Sequence, residues 1–181
     1  MKNTRTLKIC IAGLLIAVGI LIPMVSPIKV IIEPASFTLA SHVAIFIAMF
    51  ISPAMALAVA FGTTAGFFVA GFPPVVVLRA LTHIVYAGCG AYYLQNKGAD
   101  ISPLKLRIFS LTIALIHGVC EVIVSTFFYF GQGARDLNRF MTVVILLVGF
   151  GTVIHSLIDF EIALLVKIPL RKQRLLRDII K

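Results

Sequence analysis

Val75-Val76-Val77-Leu78-Arg79-Ala80-Leu81-Thr82-His83-Ile84-Val85 sets a guanidinium and an imidazole inside a run that is otherwise almost wholly apolar. On a helix, residues 79 and 83 lie four apart and leave from one face. An arginine inside a hydrocarbon slab costs about 2.5 to 3.5 kcal/mol on insertion scales, and more in simulation. A polar partner or an anionic ligand therefore has to meet it. The rest of the chain reads as the container for this pair.

Hydrophobic residues fill 60% of the 181 positions and charged residues only 13%, with several apolar runs near the roughly 20 residues that span a bilayer as helix. That composition defines a polytopic membrane protein. Backbone groups in lipid must be satisfied within the chain, and no alternation of the barrel kind is present, so the spans are helices and the fold class is all-α. All connections are short, which leaves one integral membrane domain over residues 1–181. No glycine-rich phosphate-cradling loop occurs, which excludes ATP hydrolysis by that route within this chain. The net charge of +9 comes mainly from the ends and one internal connection. This is the pattern of membrane orientation rather than a nucleic-acid-binding face. Cys10, Cys89 and Cys120 fall in apolar runs without paired spacing, so neither a disulfide nor a metal centre is expected of them.

Six helices are expected, at about residues 7–24, 38–51, 54–69, 75–94, 108–130 and 140–165. The first carries Ala12, Gly13 and Ala17, with Gly13 and Ala17 in the small-xxx-small spacing of close helix packing. This face either packs within the protein or docks a partner's helix. Residues 25–37 contain Pro27, Lys29, Glu33 and Pro34 among isoleucines and valines, and read as a partly apolar loop or re-entrant segment. Residues 169–181 are basic with interleaved leucines and isoleucines, as in a tail lying on an anionic leaflet. An even number of spans puts both ends on one side. Lys2, Arg5 and Lys8, the loop with Lys97, Lys105 and Arg107, and the basic tail with Arg174, Arg177 and Lys181 all share that side, so by the positive-inside rule it is the cytoplasm.

Depth follows from the helical rise of about 1.5 Å per residue: Arg79 lies roughly 6 Å and His83 roughly 12 Å below the outer end of the fourth helix. Counted inward from Phe130 at the same rise, Glu121 comes at about 13 Å and His117 at about 20 Å. His83 and Glu121 are thus nearly level, and Glu121 either pairs with Arg79 structurally or shares a ligand with it. His155 falls near the depth of His117, Asp159 and Glu161 fall toward the inner interface, and Ser41 and His42 stand near the outer end of the second helix. Guanidinium is a fork for carboxylate, and imidazole or carboxylate contacts a ring nitrogen or hydroxyl. The substrate-binding candidates are therefore Arg79, His83 and Glu121, with Ser41, His42 and Asn138 as additions. No cofactor or metal is expected. The competing reading is an intramembrane metal-dependent hydrolase, in which the i,i+4 pairs His117/Glu121 and His155/Asp159 converge on an ion. Their order lacks the HExxH pattern.

A small-residue first helix, then Ala35-Ser36-Phe37-Thr38-Leu39-Ala40-Ser41-His42, Ile51-Ser52-Pro53 and Leu78-Arg79-Ala80-Leu81-Thr82-His83, together resemble the S components of energy-coupling factor vitamin transporters. The likeness covers essentially the whole chain, and the stretches 36–53 and 71–83 look most like the niacin and pantothenate members. The resemblance implies a substrate-binding subunit of the bacterial cell membrane that captures a vitamin on the outer side beneath its first outer loop. It also implies a transmembrane coupling protein and two partner ATPases that carry out the uptake. Ala12, Gly13 and Ala17 would then form the coupling surface and residues 27–37 the lid. The family's alanine, three residues, alanine motif starts here at Gly13 instead. Arg79 suits the carboxylate of either vitamin, and a small flat acid such as niacin suits a compact aromatic pocket better than pantothenate does.

Overall fold

The computed structural model describes residues 4–32, 35–97, 101–173, 176, 179 and 180. Helix α1 (Thr4–Val25) leads into a hairpin of β1 (Lys29–Ile32) and β2 (Ala35–Thr38), then a short helix α2 (Val43–Met49). Three long helices follow in sequence: α3 (Pro53–Val69), α4 (Pro74–Lys97) and α5 (Pro103–Gly131). The last rod begins as α6 (Leu137–Phe140), continues as a π-helical segment (Met141–Phe150) and ends as α7 (Gly151–Lys172).

Local chemistry sets these boundaries. Ser52 and Ser102 accept the amides of Met55 and Lys105 and are each followed by a proline at the first helical position, where the missing N–H costs nothing. Asp136 caps α6 through the amide of Arg139. Gly71 takes a φ of +75° in the α3–α4 turn, a conformation that favours glycine.

Four stretches are long and apolar enough to cross a membrane: Arg5–Val25, Pro74–Lys97, Pro103–Gly131 and Leu137–Lys172. Pro53–Val69 is apolar as well, but shorter. Their outward surfaces carry Leu14, Phe61, Phe68, Val69, Phe127 and Phe150, all exposed. Such a coat is unstable in water and suits hydrocarbon. The protein is an all-α membrane protein apart from one hairpin.

That hairpin is the main departure from the expected irregular segment. The β-branched residues of Lys29-Val30-Ile31-Ile32 favour an extended strand. They pair antiparallel with β2 in the register Lys29↔Thr38, Val30↔Phe37, Ile31↔Ser36 and Ile32↔Ala35. Glu33 and Pro34 lie outside the described residues. A lone hairpin is marginal, and this one is held by packing: Ala35 and Thr38 are buried, and Phe37 lies against the backbone of Gly151, where a Cβ would meet the ring at 2.7 Å.

Helix α2 is the second departure. It is seven residues long instead of fourteen, and all seven are buried. It touches α1, α3, α4 and α7 and forms the centre of the bundle. Phe46 packs on Tyr86 and Phe160, and Phe109 and Phe50 pack on Phe160 in turn, giving an aromatic core. Helix α1 lies against α3 by way of Ile16 over Gly62 and Ile20 over Gly66. The basic tail is only partly as expected: residues 169–172 extend α7, and Ile179 and Ile180 are buried against the core. Arg174, Arg177 and Lys181 lie outside the described residues, as does Lys2.

Candidate functional site

The hairpin, the start of α2 and the upper parts of α4, α5 and α7 enclose a cavity of about 550 Å³. That is within the size range of small-molecule sites. Pro23, Lys29, Phe72, Pro73 and Gln132 also line it, so the three irregular connections that follow α1, α3 and α5 meet at one end of the bundle, around its mouth. A larger groove of about 840 Å³ runs along the outside of α4 and α5. Among its lining residues none is ionisable, and the Thr82 hydroxyl is committed to the carbonyl of Arg79. The chemistry is in the smaller cavity.

Arg79 and Glu121 meet there as an ion pair. Both are buried, and the guanidinium donates through Nε and Nη2 to Glu121 Oε2. The Thr152 hydroxyl lies 3.4 Å from the same oxygen. On the other carboxylate oxygen, His83 Nε2 and His117 Nε2 each stand 3.5 Å away. Neither contact has hydrogen-bond geometry, and both His117 ring nitrogens and His83 Nε2 are buried without a hydrogen bond. The pairing of Arg79 with Glu121 and their level with His83 agree with the count along the helices.

A second cluster faces the first. Asp159 is fully buried, accepts the amides of Ala40 at 2.7 Å and His42 at 2.9 Å, and lies 3.0 Å from His42 Nδ1. Ser41 Oγ bridges His42 Nδ1 at 3.2 Å and His155 Nε2 at 3.1 Å. Asp159 was expected near the inner interface, and the structure corrects this. Residues 39–42 dip into the bundle before α2 begins, so the chain brings its own amides down to the carboxylate. The dip turns on Ala40, whose φ of +68° is left-handed and unusual for a residue with a Cβ.

Among the sequence-selected residues, Arg79, His83, Glu121, His42 and Ser41 all line this cavity. Asn138 does not: it is exposed on α6, and its carbonyl accepts the Thr142 hydroxyl. His117, His155, Thr152 and Phe37 line it as well, although the sequence reading left them outside the binding set. The signal for His117 and His155 was present in their i,i+4 acids. The proposed hydrolase geometry does not form, because Glu121 is bound to Arg79 and Asp159 to backbone amides. All four histidines of the chain converge, with ring centroids 4.7 to 5.0 Å apart between His42 and each of the other three.

The face bearing Ala12, Gly13 and Ala17 is elsewhere. Gly13 and Ala17 are exposed, Ala12 is half-buried, and nothing lies within 4 Å of where a Gly13 Cβ would stand. This small-residue face points away from α3.

No family model matches the chain, and no solved structure matches it. The niacin transporter NiaX of Lactococcus lactis subsp. cremoris (strain MG1363) is 40% identical to it over 164 residues, covering 90% of this chain and 74% of that protein. Identity at that level over nine-tenths of the sequence shows that the chain belongs to the family of that transporter, the S components of energy-coupling factor importers.

Proposed function

We propose that this protein is the substrate-binding subunit of an importer for nicotinate in the bacterial plasma membrane. One observation carries the reading: a buried guanidinium and four imidazoles line one cavity, in a chain 40% identical to a niacin transporter. A pyridine carboxylate presents two features, an anionic end and a flat ring with a nitrogen acceptor. Arg79 answers the first as a planar fork. The faces and edges of His42, His83, His117 and Phe37 answer the second. Glu121 holds the guanidinium in place before the ligand arrives.

In this reading the chain crosses the membrane six times with both ends in the cytoplasm, and the hairpin β1–β2 is the lid on the outer side. The end opposite the cavity mouth carries Lys97, Lys105, Arg107 and Arg171, in accord with the positive-inside rule. Gly13 and Ala17, with Ala12, present the surface for a transmembrane coupling protein, and two ATPase subunits supply the energy.

Calorimetry on the purified chain tests the binding step. Nicotinate is expected to bind in the nanomolar to micromolar range. Nicotinamide, which lacks the carboxylate, should bind weaker by about tenfold or more. Pantothenate should not compete. Absence of nicotinate binding in that range refutes the reading.

A further inference from the structure

The histidine cluster has more nitrogen donors than its protein partners use. His117 is fully buried, and neither of its ring nitrogens makes a hydrogen bond; the buried His83 Nε2 makes none either. Leaving a buried polar atom unsatisfied costs about 1 to 3 kcal/mol, so three such atoms at one place call for an occupant. With His42 they form a near-equilateral triangle of rings, with centroids 4.8 Å apart for His42 and His83, 4.7 Å for His42 and His117, and 4.8 Å for His83 and His117.

We propose that His42, His83 and His117 bind a divalent transition-metal ion of the zinc, cobalt and nickel class. One ligand atom from each of the three lies within 4.8 Å of the other two. A tetrahedral ion with bonds of about 2.0 to 2.1 Å needs them about 3.3 Å apart, so binding draws the three donors together by up to about 1.5 Å. The tautomer of His42 fits. Asp159 as a carboxylate only accepts, so His42 Nδ1 carries the hydrogen and Nε2 keeps its lone pair. A metal-bound histidine characteristically donates its other N–H to a carboxylate in this way.

The charge balance also fits. Arg79 is offset by Glu121, and Asp159 adds a further negative charge behind His42. Three imidazoles select the zinc-like ions over calcium or magnesium, which take oxygen donors. Three protein ligands leave a fourth position open toward the cavity for water or a ligand nitrogen. His42, His155 and Asp159 form a neighbouring group of similar span. There, however, the carboxylate and the ring nitrogens already bond to one another, to Ser41 and to backbone amides.

The test uses the full chain without a histidine tag, stripped by chelator and titrated with Co²⁺ alone, with no vitamin present. Its outcome is therefore independent of nicotinate binding. One Co²⁺ per chain with the visible absorption of a four-coordinate nitrogen site is expected. His83→Gln and His117→Gln should each weaken binding by about tenfold or more, while His155→Gln leaves it unchanged. His83→Cys keeps a donor in place and should retain the ion with an added thiolate-to-cobalt band in the near ultraviolet. No saturable Co²⁺ in the wild type, undiminished binding in the two Gln variants, a loss in His155→Gln as large as theirs, or absence of the thiolate band would each overturn the site.

Discussion

Arg79 has a definite partner in Glu121, and this changes what its removal does. Truncating one member of a buried ion pair strands the other charge, at about 3 to 5 kcal/mol. Arg79→Ala should therefore lower the melting temperature in detergent as well as abolish nicotinate binding. The double variant Arg79→Leu/Glu121→Leu should recover most of the stability and still bind no nicotinate, which separates the structural role from the binding role. Wild-type affinity in that folded double variant would remove Arg79 from the site. Asp159 holds the dip at residues 40–42 by two amides and an imidazole, so Asp159→Leu should destabilise by about 2 to 5 kcal/mol in thermal denaturation, from the three stranded donors. Ala40→Val should also lower the melting temperature, because a β-branched residue resists a left-handed φ, whereas Ala40→Gly should change it little. The meeting of Arg79, His83 and Glu121 was legible in the sequence, since helical rise fixes depth once the ends are known. Asp159 was misplaced because a count along its own helix takes no account of a neighbouring loop descending to it.

At the scale of elements, apolar runs of bilayer length announced the long helices, and serine-proline pairs marked where two of them start. The hairpin was less visible. Val30, Ile31 and Ile32 carry strand propensity, but Pro27, Glu33 and Pro34 break the run, and the support for the pair comes from far along the chain, where Gly151 leaves room for Phe37. Helix α1 has two faces with different tolerances. Gly62 sits under Ile16, with a Cβ position 2.8 Å from Ile16 Cγ1, so Gly62→Leu should cost about 1 to 3 kcal/mol in thermal stability by overpacking. Gly13 faces open space, so Gly13→Leu should leave both the melting temperature and nicotinate affinity unchanged. If that face docks the coupling protein, the same substitution should abolish nicotinate uptake in cells and co-purification with the coupling protein. Normal uptake with Gly13→Leu would place the coupling surface elsewhere.

For the whole molecule, the apolar exterior and the polar cavity make one inverted design, with lipid outside and the ionisable groups gathered at the centre. The composition disclosed the exterior at once. The interior was only half legible: Asn138, taken as an addition to the site, stands outside the cavity, while the groups that fill it come from chain segments distant in sequence. Helix α2 sits at the meeting point. Its seven residues make a rod of about 10 Å, against a hydrocarbon thickness of about 30 Å. It cannot face lipid as a span in its own right, so the second of the six proposed crossings, made by residues 39–52 with α2, runs inside the bundle with protein around all seven α2 residues. The long helices can therefore cross the bilayer without α2, whereas α2 has a place only among them. His42 stands at the start of that helix and lines the cavity, so the cavity wall depends on a helix that the bilayer alone cannot hold.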